Sequence, residues 1–478
     1  MSDNLKKRTL TALLWSFFER VGQKGVKFVI SIILARLLMP ADFGLLALVT
    51  MFLGLAQTFV DSGLGTALIQ KKRHEFIDEC TIFYTNIGIG IICAVVIYWV
   101  APWAAVYFGE PLLIDMLRVL SIVVVIDSIA NIQLTVATKK IDFKTQFNVS
   151  FIVSILSGCV GVYMALNGYG VWSLVLMVLS RSVCSAVLLF LLVKWRPKLI
   201  YSIQSLRYLF SFGSKIFFSA LLDRAFNSSY SIIIAKVYSP VDLGFYGRAQ
   251  SLQQMPVDAV FQSVARVTFP VFSMLQDDLP RLKRGMRQSL IAMSFFIMPT
   301  MIGLAVTAKS VVLLLLTDKW LVIVPYLQLL CVVGLLFPLN AINLNVLKAL
   351  GRSGLFLKLE IVKKILAASV LAVTYQYGIE IMISGMIVTA SIAFYLNAYF
   401  NGKLLGYYFS EQIGDCIWML LASIVMGYLV VSVSYLEFPS LSVFLFVQVL
   451  TGFMSYLALC YLLRIPVLIE IVDKLKRK

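Results

Sequence analysis

The sequence predicts an all-α membrane protein of about fourteen transmembrane helices, arranged as two pseudo-symmetric six-helix bundles and a trailing pair. Three observations carry this expectation. Of 478 residues, 60% are hydrophobic and only 14% charged, and the mean hydropathy is +0.92, more apolar surface than a soluble chain of this length can hide. Apolar stretches near the length of a bilayer crossing recur from end to end, with breakers between them. A ten-residue turn, ARLLMPADFG at 35–44, returns as AKVYSPVDLG at 235–244.

The opening MSDNLKKRTLTALLWSFFERVGQKGVKF starts basic, but charges interrupt its apolar stretch and no small-residue cleavage site follows. It reads as a retained first helix at 12–36 rather than a signal peptide. Breaker-to-breaker spans follow at 44–66, 80–103, 112–135, 148–167 and 170–193, and these close the first bundle, 1–194. The join at 195–211 mixes cations with Leu, Ile, Tyr and Phe, as expected of an amphipathic linker lying on the cytoplasmic face. The second bundle, 212–402, takes spans at 212–237, 244–268, 288–308, 322–345, 358–378 and 381–401. Spans at 413–433 and 442–463 and a basic tail complete 403–478.

The repeated turn falls between the first and second helices and again between the seventh and eighth. An interval of six helices preserves orientation, so the halves are related by an axis along the membrane normal, as in parallel-repeat transporters. In each copy proline stops the outgoing helix, aspartate caps the next and glycine permits close approach.

The net charge of +17 belongs to topology rather than to nucleic-acid binding. Clusters such as Lys6–Lys7–Arg8, Lys71–Lys72–Arg73, Lys139–Lys140 and Lys474–Lys476–Arg477–Lys478 fall on one side, while the other side's loops carry Arg36, Lys236, Lys309 and Lys319. The positive-inside rule then puts both termini in the cytoplasm. Seven cysteines are scattered through apolar segments without CxxC spacing and read as unpaired core residues. The only histidine, His74, sits in a basic loop, which argues against a metal site or a histidine base. No P-loop, GxSxG elbow or HExxH occurs, the loops on the non-cytoplasmic side are short, and neither an enzyme nor a cofactor is expected.

Polarity inside the predicted spans is the sharper signal. FFERVGQKGVKF places Glu19, Arg20, Gln23, Lys24 and Lys27 within an arc of about 140° on the first helix. A lone cation at mid-bilayer costs on the order of 3 kcal/mol, so such a face meets water or other polar groups. The seventh helix repeats the pattern with Asp223, Arg224, Asn227, Ser228 and Ser231. The eighth carries Arg248 and a stripe containing Gln254, Asp258 and Gln262. Together with Gln57 and Asp61 on the second helix and Asp127 and Asn131 on the fourth, these outline a hydrated, positively lined cavity. Asp61, Asp127 and Asp258 are candidates for proton or sodium coupling, with plain hydrogen bonding the alternative for each. Arg118, Arg181 and Lys215, near predicted helix ends, read as side chains reaching for the interface, with cavity lining the alternative for Arg118 and Arg181.

Two spaced motifs, LARLLMPADFGLLALV (34–49) after a charged first helix and DSGLGTALIQ (61–70) closing the second, resemble the polysaccharide transporter family. More narrowly they resemble its Wzx/WzxC-type lipid-linked oligosaccharide flippases. The likeness runs over nearly the whole chain and is strongest over 12–75. It implies the fold of the multidrug/oligosaccharidyl-lipid/polysaccharide superfamily and a substrate, an oligosaccharide on polyprenyl pyrophosphate, moved across the bacterial inner membrane by alternating access. Other polysaccharide assembly proteins are implied partners. Arg20, Lys24, Lys27, Arg224 and Arg248 would replace the water around the diphosphate. The rival readings are an ion-coupled drug antiporter of the same fold, whose cavity should lean toward carboxylates, and a membrane polymerase, which needs a sizeable outer loop.

Overall fold

Prolines, glycines and short polar caps decide where each helix of this chain begins and ends. The computed structural model describes residues 25–71, 75–140, 142–465 and 467–469, and the chain divides into two compact units, Met1–Gly244 and Phe245–Lys478. Described helices overlie every predicted span from the second onward. Among the described residues nine helical stretches are long and apolar enough to cross a membrane. The fold is all-α, as expected.

The first unit contains α1 (25–37), α2 (Pro40–Asp61), α3 (Leu64–Gln70), α4 (Phe76–Phe108), α5 (Leu112–Lys139), α6 (Phe143–Leu166), α7 (Val171–Leu192) and α8 (Ile203–Ile233). A π turn, Ile234–Tyr238, leads into the first residues of α9 (Pro240–Met274). Helix α4 packs along α5, α6 along α7, and α2 lies against α5, α8 and α4. Pro40 opens α2, and the Asp42 carboxylate accepts the Met39 backbone N–H at 2.9 Å. In the second copy of the turn, Ser239 Oγ donates to Asp242 at 2.6 Å and accepts the Asp242 N–H at 3.1 Å.

The two copies of the turn touch each other. A Cβ added to Gly44 would lie 1.7 Å from the Pro240 carbonyl oxygen, and one added to Gly244 would lie 2.2 Å from that of Pro40. Each glycine thus makes room for the other copy's proline, the reciprocity that a two-fold relation requires. At the far end of the α2–α8 pair, Gly63 (φ +69°), which follows the left-handed Ser62 that ends α2, packs on Gly213: a Cβ there would meet the Gly213 carbonyl oxygen at 2.2 Å. Small residues at both ends let these two antiparallel helices approach closely.

The expected linker at 195–211 divides in two. Ser202 caps the next helix by accepting the Ser205 N–H at 3.2 Å, so 203–211 form the first turns of α8. Residues 195–202 form a strap fastened to the start of α4. Trp195 is buried and its indole donates to Glu79 at 2.5 Å. The Ser202 N–H reaches Thr81 Oγ1 at 3.1 Å, and Gln133 donates to the Trp195 carbonyl at 3.2 Å. Because α8 packs on α2 and α3, the compact division falls after Gly244, beyond the join expected at 195–211 from the repeat.

The second unit takes the rest of α9, α10 (Leu279–Val306), α11 (Ala308–Leu315), α12 (Ile323–Leu335), α13 (Phe337–Ala349), α14 (Ser353–Thr374), α15 (Ile379–Leu405), α16 (Phe409–Ser432) and α17 (Leu441–Leu462). The span expected at 322–345 is two helices, because Pro338 lacks the N–H that would carry the ladder through and instead opens α13. Helix α16 packs on α10 and α17, and Tyr456 of α17 donates to the Phe295 carbonyl of α10 at 2.9 Å. The trailing pair is therefore part of the second unit's core.

Candidate polar site

Thr50, Gly54, Gln57 and Asp61 lie along one face of α2, at the spacing of successive helical turns. Facing them, Asp127, Asn131 and Thr135 are spaced by four on α5, and Arg181, Ser182 and Ser185 project from α7. The Asn131 amide donates to Asp61, and Gln57 donates to the same oxygen at 3.3 Å. Thr135 Oγ1 donates to the Asn131 side-chain oxygen at 3.4 Å. A cavity of about 270 Å³ is lined by Thr50, Gln57, Asp127, Arg181 and Ser182, among others. Asp61 and Arg181 keep exposed surface, and Asp127 is half-buried.

Arg224 enters from α8. Its guanidinium donates to the Thr50 carbonyl at 3.3 Å and lies over Gly54, where an added Cβ would be 1.6 Å from Nη2. Glycine at 54 is what lets a cation rest on the α2 backbone. The arrangement thus offers two carboxylates, several amide and hydroxyl groups and two guanidinium groups within one membrane-spanning unit, a setting for an exchangeable small cation or an anionic headgroup.

The residues expected to form one site are distributed as follows. Asp61, Asp127 and Arg224 belong to this polar region. Asp223 and Asn227 are exposed on α8 beside Arg224, and Lys27 is exposed on α1. Glu19, Arg20, Gln23 and Lys24 lie outside the described residues. Arg248 belongs to the second unit, where it is 9% exposed, with its guanidinium 5.6 Å from the centre of the Trp320 ring. Asp258, also on α9, is exposed. Arg181, left between interface and cavity by the sequence, lines the cavity with Asp127. Arg118 stacks on Tyr98 at 4.7 Å.

One polar cluster had no signal in the sequence reading. In the second unit Asn343 donates to Gln412 at 2.7 Å, Asn401 donates to the Asn343 side chain at 2.8 Å, and Asn397 donates to Asn340 at 2.9 Å. Asn343, Asn397, Asn401 and Gln412 are fully buried. The chain of contacts continues through Tyr407, which donates to Asp415 at 2.7 Å, to Arg287. It joins α10, α13, α15 and α16. Burial together with the bond to Asp415 pushes the Tyr407 phenol up from its ordinary range.

Comparison with known proteins gives this geometry a context. A family described as polysaccharide biosynthesis protein matches residues 33–325. The chain is 24% identical to the succinoglycan biosynthesis transport protein ExoT of Rhizobium meliloti, over 82% of this chain and 78% of that one. It is 25% identical to the lipopolysaccharide biosynthesis protein WzxC of Escherichia coli, over 76% and 74%. Among solved structures, the lipid II flippase MurJ in an inward closed conformation superposes with a TM-score of 0.73, covering 95% of this chain and 98% of that one at 14% identity. An inward-facing multidrug resistance MATE transporter superposes with a TM-score of 0.65, covering 80% and 94% at 15% identity. These two superpositions establish a fold shared with both structures.

Proposed function

This chain belongs to the polysaccharide biosynthesis protein family, and from that premise we propose that it is a flippase. Its substrate is an oligosaccharide repeat unit on polyprenyl pyrophosphate, carried across the bacterial inner membrane from the cytoplasmic side, with both termini cytoplasmic. The observation that carries the reading is Arg224 laid on the α2 backbone over Gly54, beside the polar face of a membrane-spanning unit. A diphosphate cannot shed its water into hydrocarbon, but fixed guanidinium groups replace that water with paired hydrogen bonds. The lipid chain stays in the bilayer while the headgroup passes.

The headgroup site in this proposal comprises Arg224 with Asp223 and Asn227, the first-helix residues Glu19, Arg20, Gln23, Lys24 and Lys27, and Arg248. The pseudo-symmetric bundles, 1–194 and 212–402, alternate access to it, with 195–211 between them and 403–478 following. Asp61 and Asp127 couple the cycle to a proton or sodium ion, with Asp258 a further candidate. Asp61 accepts from the neutral amides of Gln57 and Asn131, while Asp127 shares its cavity with Arg181. No catalytic residue, cofactor or metal is invoked.

The test is flipping of a defined lipid-linked oligosaccharide in vesicles by wild type, Lys24→Ala and Arg224→Ala. Loss of about tenfold in rate for Arg224→Ala, equivalent to roughly 1.4 kcal/mol, is expected with folding unchanged. Wild-type rates in both variants would remove the site. Extrusion of drug cations by a protein that flips no oligosaccharide would favour an antiporter.

A further inference from the structure

The face of α2 opposite the polar cavity borders a second cavity of different chemistry. Met51, Phe52 and Leu55 of α2, Trp103 and Phe108 of α4 and Ile232 of α8 line a groove of about 830 Å³. Pro102 stands in its wall, inside α4. A proline there has no N–H for the carbonyl four residues back, which loosens the helix as its last turns run past α2. The groove opens outward, as Trp103 and Val106 on its rim are 79% and 84% exposed. In a membrane-spanning chain that opening faces hydrocarbon. One end carries a charge: Lys236 donates from Nζ to the Tyr107 carbonyl, and the amine lies 4.5 Å from the centre of the Tyr107 ring. Tyr107 is itself part of the groove wall.

We infer that this groove seats the polyprenyl chain of the lipid-linked substrate while its diphosphate lies at Lys236, outside the Arg224 site; the inference rests on the flippase reading. The chemistry selects the occupant. A wholly apolar trough with one cation at its end suits a single long hydrocarbon chain with an anionic head, whereas a two-chain phospholipid leaves its second chain outside. The position suits transport, because the same helix that lines the polar cavity with Thr50, Gly54 and Gln57 lines the trough with Met51, Phe52 and Leu55.

The full-length protein in nanodiscs, irradiated with a polyprenyl diphosphate carrying a diazirine midway along its chain, tests this. Adducts are expected on the 51–55 and 102–108 peptides. Leu55→Trp, which fills the trough, should lower them about fivefold, Lys236→Gln should lower them about threefold, and unlabelled polyprenyl diphosphate should compete where phosphatidylglycerol does not. If Leu55→Trp does not accumulate as folded protein, the exposed Lys236→Gln carries the comparison. Adducts unmoved by the substitutions, or phosphatidylglycerol competing equally well, overturn the inference. Wild type that flips oligosaccharide but leaves the groove unlabelled overturns the groove alone. Wild type that flips none overturns the flippase reading itself.

Discussion

Gly54 matters through the side chain it lacks. Arg224 rests where a Cβ would be, 1.6 Å from Nη2, and a methyl group there must push the guanidinium away. Gly54→Ala is therefore expected to slow flipping about as much as Arg224→Ala, while stability changes by less than about 1 kcal/mol because only the end of a flexible side chain moves. Transport assays paired with thermal unfolding in detergent check this. Wild-type flipping in Gly54→Ala beside a defective Arg224→Ala would show that the guanidinium's position on α2 is irrelevant. No sequence rule distinguishes such a glycine from the others. Asp61 and Asp127, by contrast, were legible, because a carboxylate in an apolar span demands explanation, and Gln57 and Asn131 stood one helical turn from them. Arg181 stayed open between interface and cavity, because distance from a predicted helix end does not say which way a long side chain turns.

At the scale of elements, backbone approaches join α2 to the start of α9 at Gly44–Pro240 and the end of α2 to α8 at Gly63–Gly213. Gly44→Ala and Gly244→Ala each set a Cβ against a carbonyl oxygen that cannot swing aside, so each should destabilise by about 1–3 kcal/mol. Because both substitutions strain one contact, the double variant should lose less than the sum, with a coupling of about 0.5–3 kcal/mol. Chemical or thermal unfolding of the four proteins completes the cycle, and strict additivity would mean that the copies do not share a contact. Helix positions were legible from hydropathy and breakers, and Pro338 marked a break that an unbroken apolar run concealed. The strap at 195–202 was not, since Trp195 finds Glu79 through folding rather than through proximity in sequence.

For the whole molecule, the repeat was the most informative text in the sequence and the amide cluster of the second unit the least. Asn340, Asn343, Asn397, Asn401 and Gln412 are single polar residues in separate helices, and only the packed core reveals them as one network. Its continuation to Tyr407 and Asp415 links stability to pH. A phenol held protonated by the fold contributes stability that is complete below about pH 10, the range of a free tyrosine, and is lost as pH rises beyond it. The alkaline fall in melting temperature should accordingly be shallower in Tyr407→Phe than in wild type across about pH 9–11. Parallel curves would remove Tyr407 from the linkage.

The clasp between the two copies of the PxDxG turn is made of main chain, and main chain has no rotamers with which to yield by degrees. Such a join holds or parts as a unit. Any movement of α2 against the start of α9 must therefore either pivot about Gly44 and Gly244 or part them outright.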